Sequence, residues 1–531
     1  MPDHDTQVPP TRLRRRRWLM VLAFFGTASV IVVWTAARVP FSSDILRRRL
    51  VATLATKLNS EVELGSLTLR VLPRFQVRGE NLVIHHRGRR DVPPLFSVTA
   101  FTVDADVVGL WRGHVERVRL EGLEIQIPPG AQDYGEEAAE RVPAGGAHFI
   151  EARQVVVDLL EAPGSKVVIL PRNREKPPKT WDLHELRVES VSAGTGMPFR
   201  AVVRNAVPPG FIETTGAFGP WHRDDPGHTP LDGAFTFENA DLSVFKGIGG
   251  VLSANGSYNG SLGRLDVNGR TETPEFVVHI GGHPVPLNAT YRAVVDGTNG
   301  DTRLEEVRAS FLDTSVIARG GVFDVKGVRG RLVTLDVTIE RGRLEDLMRL
   351  AVKTPQPPMT GALRLNTTFE LPPGDRDVVE KLRLDGQFTI EAGRFTDADV
   401  QGKINTLSRR ASGQKPVAQQ RQVSSTFTGR FVLGDGVLAL PALTFDVPGA
   451  VVDVNGRYGL RDEALAFSGS LFMDARLSQT TTGLKSLLLR AVDPLFRRDG
   501  RTVVPIRIVG TRQEPSFGLD LRRVFSRGSS D

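Results

Sequence analysis

The chain has 531 residues, of which 40% are hydrophobic and 24% charged, a composition typical of folded protein and a length too great for one ordinary core. It contains no cysteine, which excludes disulfides, thiolate metal sites and cysteine nucleophiles. The net charge is only +7, and no basic stripe is interleaved with aromatic residues, so we expect no nucleic-acid partner.

An uncharged run at residues 18–37 follows a basic tail at residues 1–17 and predicts a transmembrane helix. About 20 apolar residues at about 1.5 Å each cross a hydrocarbon layer of about 30 Å. Trp18 and Trp34 lie near the two ends of the run, where indole rings prefer the interface. The alternative, a cleaved signal peptide, usually has a shorter apolar core and an A-x-A site. The arginines before the run place the N-terminus in the cytoplasm and the rest of the chain outside it.

Residues 42–59 have apolar side chains near helical spacing, with Arg47, Arg48 and Arg49 between them. This pattern predicts a short amphipathic helix next to the membrane segment. Two roles remain open at this point. The helix either lies on the membrane surface or caps the end of the following β structure, and both are compatible with the pattern.

From residue 60 onward the apolar residues recur with period two, which predicts β-strands that each have one apolar face. Phe101, Val103, Ala105 and Val107 form one such set. Asn-Gly and Asp-Gly pairs between the segments predict tight hairpin turns, and therefore a mostly antiparallel arrangement. The pairs are Asn255-Gly256, Asn259-Gly260, Asn268-Gly269, Asp296-Gly297, Asn299-Gly300, Asp435-Gly436 and Asn455-Gly456.

Helical patterns are scarce in this body. We expect short helices at residues 344–352, 399–410 and 478–496. Polar or Pro-rich stretches at residues 130–146, 171–179 and 355–358 indicate linkers. These features suggest an N-terminal module at residues 42–130, central β-rich repeats at 131–352 and a C-terminal β domain at 359–531.

Both ends of the body resemble AsmA-like proteins. The segment from Arg47 to Ile84 has the helix, strand, Pro turn and strand of the N-terminal module of that family. The matching positions are Val62, Leu64, Gly65, Leu67, Pro73, Val77 and Leu82, and the resemblance continues through Leu110-Trp111 and the stretch from Val115 to Ile125. Near the C-terminus, Val503 to Phe517 contains the pattern V-P-I-x-I-x-G-T-x-x-x-P. Together these regions cover about half of the chain.

AsmA-like proteins are related to the bridge-like lipid transfer proteins. The resemblance implies an all-β fold, with a long curved mostly antiparallel sheet forming an open groove, one N-terminal transmembrane helix and a few short helices. It also implies anchorage in the bacterial inner membrane, a body in the periplasm and a role in outer-membrane lipid homeostasis. Barrel-assembly or other outer-membrane proteins are possible partners.

The sequence offers no enzymatic site, and we expect no catalytic, cofactor or metal residues. His85 and His86 are adjacent, so on a strand they point to opposite faces and do not share a metal. Asp397 and Asp399 lack the Gly and Glu of a calcium loop. No nucleophile elbow, zincin or P-loop motif is present in the sequence.

The one-sided strands are therefore the candidate functional feature. On one hypothesis their apolar faces hold phospholipid acyl chains. The alternatives are that the faces pack on each other in a closed sandwich, or that the sheet edges scaffold outer-membrane protein assembly. The groove candidates are Leu67, Leu69, Phe101, Val103, Leu335, Val337, Leu384, Phe388, Phe431, Leu433, Phe445, Leu465 and Phe467.

Overall fold

A computed structural model describes fifteen stretches of the chain. They are residues 41–42, 44–58, 60–70, 75–85, 93–127, 156–170, 178–192, 195–220, 228–297, 299–325, 328, 330–414, 423–476, 497–498 and 501–519. The predicted transmembrane helix at 18–37 and the predicted helix at 478–496 lie outside these residues. No helix within the described stretches combines the length and hydropathy needed to span a bilayer.

The described residues contain five α-helices and one short 3₁₀ helix. The helices are α1 (Asp44–Leu58), α2 (Val107–Arg112), α3 (Leu344–Ala351), α4 (Val378–Lys381) and α5 (Ala398–Ala411), and the 3₁₀ helix is Leu242–Val244. The predictions of helices at 42–59, 344–352 and 399–410 are thus confirmed as α1, α3 and α5. The other α-helices were not predicted, and the strand expected to include Val107 ends at Ala105.

Strands dominate the fold, which confirms the all-β prediction. The first eleven are β1 (Phe41–Ser42), β2 (Val62–Arg70), β3 (Phe75–Ile84), β4 (Phe96–Ala105), β5 (His114–Glu121), β6 (Glu124–Ile127), β7 (Val156–Glu161), β8 (Ser165–Ile169), β9 (Lys179–Val191), β10 (Met197–Ala206) and β11 (Pro209–Phe218). The next nine are β12 (Pro230–Asp241), β13 (Ile248–Gly249), β14 (Val251–Ser261), β15 (Arg264–Val278), β16 (Val285–Val295), β17 (Thr302–Phe311), β18 (Thr314–Asp324), β19 (Arg331–Arg343) and β20 (Met359–Leu371). The last eight are β21 (Arg383–Phe395), β22 (Ser425–Gly434), β23 (Val437–Val447), β24 (Ala450–Gly459), β25 (Ala464–Met473), β26 (Arg497–Arg498), β27 (Arg501–Thr511) and β28 (Pro515–Leu519).

The described residues fall into two compact units. The N-terminal unit extends to Val203 and includes Thr215–Thr229, and the C-terminal unit comprises Arg204–Thr214 and the residues from Pro230 onward. In the N-terminal unit, β1 to β5 pair successively as an antiparallel meander, and β4 also pairs with β6. Two parallel pairings follow, β5 with β7 and β6 with β8, and both β7 and β8 pair with β9.

In the C-terminal unit the pairing is antiparallel throughout and follows the chain. From β12 the order is β14, β15 and so on to β25, and then β27 and β28. The short strands β13 and β26 add to β15 and β27. Fifteen strands therefore form one continuous ladder, which at about 4.8 Å per spacing measures on the order of 70 Å along the sheet. The ladder is not interrupted at residues 355–358, where the sequence suggested a linker, because β19 and β20 on either side of them are paired.

Several predicted turns are wrong. Asn255-Gly256, Asn268-Gly269 and Asn455-Gly456 lie inside β14, β15 and β24, and Asn259-Gly260 lies near the end of β14. Asp435-Gly436 does form a turn, between β22 and β23, with positive φ at both residues. The mid-strand glycines have a different role, which the register of the strands explains below.

Candidate functional site

Residues that pair across an antiparallel sheet share a face. Their register in the C-terminal unit defines two rows that carry no charge from β12 to β27. The first row is Gly233, Tyr258, Val267, Ala293, Leu304, Gly320, Leu335, Phe369, Leu384, Leu433, Leu438, Tyr458, Leu465 and Gly510. The second row is Phe235, Gly256, Gly269, Tyr291, Val307, Ala318, Val337, Thr367, Gly386 and Phe431, and beyond a bulge in β23 it continues with Leu440, Gly456, Phe467 and Ile508.

Two further uncharged rows extend the same face between β19 and β27. One is Ile339, Leu365, Phe388, Gly429, Leu443, Val454, Gly469 and Ile506, and the other is Gly342, Leu363, Ile390, Phe427, Phe445, Val452, Leu471 and Val504. We call these four rows together the apolar face. Its two long rows are continuous from β12 to β27, because apolar residues keep to one face within each strand and a bulge restores the alignment where a strand has an extra residue.

The opposite face of the same strands is polar. Asp266, Arg292, Asp336, Asp385 and Arg430 alternate with the apolar rows and are all exposed. Ion pairs link neighbouring strands here, including Arg364 with Glu391 at 3.0 Å and Arg383 with Glu370 at 2.9 Å. Exposed pairs of this kind contribute little to stability, about 0–1 kcal/mol each. They mark this face as the one in contact with water.

The apolar face is neither closed nor fully exposed. Phe431 and Leu433 are buried at 7% exposure each, whereas Leu335, Leu384, Leu465 and most of their neighbours are half-buried. In a closed sandwich, side chains on the facing surfaces of two sheets interdigitate and lose nearly all their exposure. Most side chains of the four rows keep more exposure than a closed sandwich would leave them.

Aromatic rings on this face lie over glycines of the adjacent strand. Phe467 pairs with Gly456, and a Cβ added to that glycine would come within 2.5 Å of the ring. Three further pairs repeat the arrangement, namely Phe235 with Gly256, Tyr291 with Gly269 and Phe388 with Gly429. A ring that covers a glycine protects its backbone and lies close to the sheet. The rings in these pairs therefore protrude little from the sheet, which gives the face a low relief.

Helices cover one end of the apolar face. Leu344, Leu347 and Met348 of α3 pack against Ile339 and Leu363, among other residues. At the C-terminal end of the ladder, Ala411, Ile404 and Leu407 of α5 belong to a second cluster with Val447, Ala450, Met473 and Val504. Asp397 caps α5 by accepting hydrogen bonds from the backbone of Asp399 and Val400, so the Asp397 carboxylate has a structural explanation.

The four candidates in the N-terminal unit share one face too. Leu67 pairs with Gly79 and Leu69 with Val77, which in turn pair with Phe101 and Val103. Leu50 and Val51 of α1 pack against a core cluster that contains Leu67 and Phe101. The Arg47 guanidinium donates to the carbonyl oxygens of Leu64 and Gly65 at 3.2 and 3.0 Å. The second role considered for this helix, capping the β structure, is therefore observed.

The apolar face also carries tyrosine hydroxyls. The Tyr258 hydroxyl lies 2.5 Å from the Thr214 hydroxyl. Burial raises the pKa of Tyr258, Tyr291 and Tyr458. All three phenols stay neutral at physiological pH and add no charge to the face.

The structure thus brings nine of the thirteen predicted residues together on the apolar face of the C-terminal unit. The other four lie on one face of the N-terminal unit. Sequence reasoning missed the glycines beneath the rings and the contribution of β12 to β18, whose small residues gave a weak alternating signal. Comparison with family models, with curated proteins and with solved structures finds no match for this chain.

Proposed function

We propose that the apolar face of the C-terminal unit holds phospholipid acyl chains, in a protein that resembles the AsmA-like family and is anchored in the inner membrane through residues 18–37. The observation that supports this most directly is the absence of charge along the two long rows, over fourteen paired strands from β12 to β27. Each exposed CH₂ costs about 0.8 kcal/mol in water, so a 16-carbon chain costs about 13 kcal/mol. A continuous apolar surface removes most of that cost at every position along the sheet.

Such a protein needs no catalytic residue. An acyl chain slides along a surface of nearly constant polarity, and its energy then changes little from strand to strand. The low relief of the ring-over-glycine pairs suits this role, because no side chain has to be displaced. The proposed role is to hold or conduct phospholipids in support of outer-membrane lipid homeostasis, with the body in the periplasm.

The test uses two adjacent residues on opposite faces. A photoreactive benzoylphenylalanine replaces Phe467 on the apolar face or Ser468 on the other face, in the full chain within vesicles of phosphatidylcholine. We expect irradiation to attach phospholipid at position 467 and not at 468, as measured by the mass of the adduct. Equal labelling at both positions indicates nonspecific contact, and no labelling at 467 contradicts the proposal.

A second candidate function is a scaffold for outer-membrane protein assembly. Among the described residues β28 pairs only with β27, so one edge of the ladder offers backbone groups for strand addition. A Leu384→Asp variant, which carries the photoreactive residue at position 467, separates the two functions. If this variant still captures a barrel-assembly protein, the scaffold is favoured. If it loses lipid labelling and no barrel-assembly protein is captured, the groove is favoured.

A further inference from the structure

Two connections of the C-terminal unit are in contact although they lie at opposite ends of the strands. Residues 242–250 join β12 to β14 at the end where Asp241 pairs with Val251. Residues 372–382 join β20 to β21 at the other end, beyond Leu371, whose pairing partner is Val333. The register places seven strand spacings between these two connections, about 34 Å along the sheet.

The contact is nevertheless direct. The Val378 backbone N–H donates to the Lys246 carbonyl oxygen at 2.9 Å. The Asp377 carboxylate lies against Gly247, and a Cβ added to this glycine would be 2.7 Å from Asp377 Oδ1. Gly247 has a φ of +98°, which a residue with a side chain rarely adopts. We call these four residues, Lys246, Gly247, Asp377 and Val378, the clasp.

Sheet twist turns these opposite strand ends towards the same side. Adjacent strands rotate by roughly 20–25°, so seven spacings accumulate roughly 140–175°. Half a turn brings the far end of β20 to the side on which β12 ends. Because the two connections touch, the sheet also curves along its length and winds back on itself. The lower exposure of the apolar residues indicates that their face lies on the inside of the turn.

The 372–382 connection is held more strongly by its own neighbours than by the clasp. The 372–382 connection is tied to neighbouring turns by the Arg376–Asp435 and Arg461–Glu380 ion pairs. It is also held internally by Lys381 Nζ, which donates to the Gly374 carbonyl oxygen at 2.7 Å. Between the two connections, by contrast, a single hydrogen bond is found among the described residues. The clasp is thus a weaker link than any strand pairing beside it.

We infer that the clasp is a lateral gate over the apolar face, which phospholipids open as they pass. The inference rests on the proposed function. A charged headgroup is expensive to bury, so a lipid that slides along the face keeps its headgroup outside the turn. The clasp crosses the open side of the turn, where it blocks a headgroup but leaves the apolar interior free for acyl chains. A phospholipid passes this point only when the Lys246–Val378 contact breaks.

The absence of native cysteine makes a direct test possible. The double variant Lys246→Cys/Val378→Cys places two thiols at the hydrogen-bonded contact, and Lys246→Cys/Asp377→Cys offers a second geometry. Benzoylphenylalanine at Phe235 or Phe467 then reports lipid on the two sides of the clasp. The full chain is irradiated in phosphatidylcholine vesicles, oxidised or reduced, with each single cysteine variant as a control.

With the clasp locked, we expect phospholipid labelling at one of the two positions to fall at least 10-fold and to recover on reduction. Equal labelling of the oxidised and reduced forms at both positions overturns the gate and leaves the proposed function standing. No labelling in the reduced form contradicts the proposed function as well. Failure of both cysteine pairs to form a disulfide shows that the contact does not persist in solution, and this also overturns the gate.

Discussion

The ring of Phe467 lies over Gly456, its pairing partner on the adjacent strand, so that a methyl group on the glycine would come 2.5 Å from Cδ1 of the ring. The carbonyl oxygen of Ala466 is closer still to that position, at 2.3 Å. Glycine is therefore required here by close packing and not by its backbone conformation. The same relationship recurs along the apolar face, and it makes a first prediction possible.

Gly456→Ala should lower the free energy of unfolding by about 1–3 kcal/mol, because the added methyl group forces the ring and the strand apart. Gly434→Ala is the matched control, since nothing lies within 4 Å of its added Cβ and its φ is not positive. That change should alter stability by less than about 0.5 kcal/mol. Urea denaturation of the two variants measures the difference, and equal midpoints would show that the ring does not lie on the glycine.

The two faces of β22 should respond differently to truncation. Phe431 is 7% exposed and its ring lies 6.1 Å from that of Phe388, whereas Val432, the next residue, is 42% exposed. We expect Phe431→Ala to cost about 3 kcal/mol or more and Val432→Ala less than about 0.5 kcal/mol. Thermal unfolding of both variants tests this expectation. A large loss at Val432 would mean that the polar face is covered in solution.

Much of the candidate site follows from strand parity. Leu335 and Val337, or Leu465 and Phe467, are two residues apart within one strand, and period two alone places each pair on one face. All nine predicted residues of the C-terminal unit lie on the apolar face. Parity does not reveal how strands align with each other, however. That alignment depends on bulges such as the one between Ile339 and Gly342, which leave no pattern in the sequence.

The incorrect turn predictions have a physical cause. Asn-Gly is favoured in tight turns because both residues tolerate positive φ. In β14, β15 and β24 the glycine instead makes room for a ring on the neighbouring strand, and the asparagine is simply the residue on the polar face. An aromatic residue in register would have distinguished the two cases, but the register was unknown. The clasp was unpredictable for a similar reason, because it depends on twist accumulated over seven spacings.

A buried carboxylate gives the next prediction. Asp346, in the first turn of α3, is 5% exposed and accepts hydrogen bonds from the Asp313 backbone N–H at 3.0 Å and the Thr314 hydroxyl at 2.8 Å. Asp346→Ala leaves both donors without this acceptor. Buried donors that lose their partner destabilise a fold by about 1–3 kcal/mol.

The exposed Asp399 occupies the first turn of α5 and provides the control, because Asp399→Ala should change stability by less than about 0.5 kcal/mol. Denaturant titration compares the two variants. If Asp346→Ala is as stable as Asp399→Ala, then α3 does not hold the β17–β18 turn in the way its contacts indicate.

The buried phenols predict how stability depends on alkaline pH. Burial raises the pKa of Tyr258, Tyr291 and Tyr458 above the ordinary value of 10.0, whereas in the unfolded chain each phenol ionises near that value. The contribution of the neutral phenols is fully present below about pH 10 and is lost as pH rises through their folded pKa values. We expect the free energy of unfolding to fall steeply above pH 10. Replacing all three tyrosines with phenylalanine should flatten this part of the profile, since no phenol on the apolar face is left to ionise. Phenolate absorbance and denaturant unfolding, both measured as a function of pH, test this expectation. Ionisation of the three phenols at the ordinary value in the folded protein would mean that water reaches the hydroxyls freely, which is incompatible with an apolar face that shelters acyl chains.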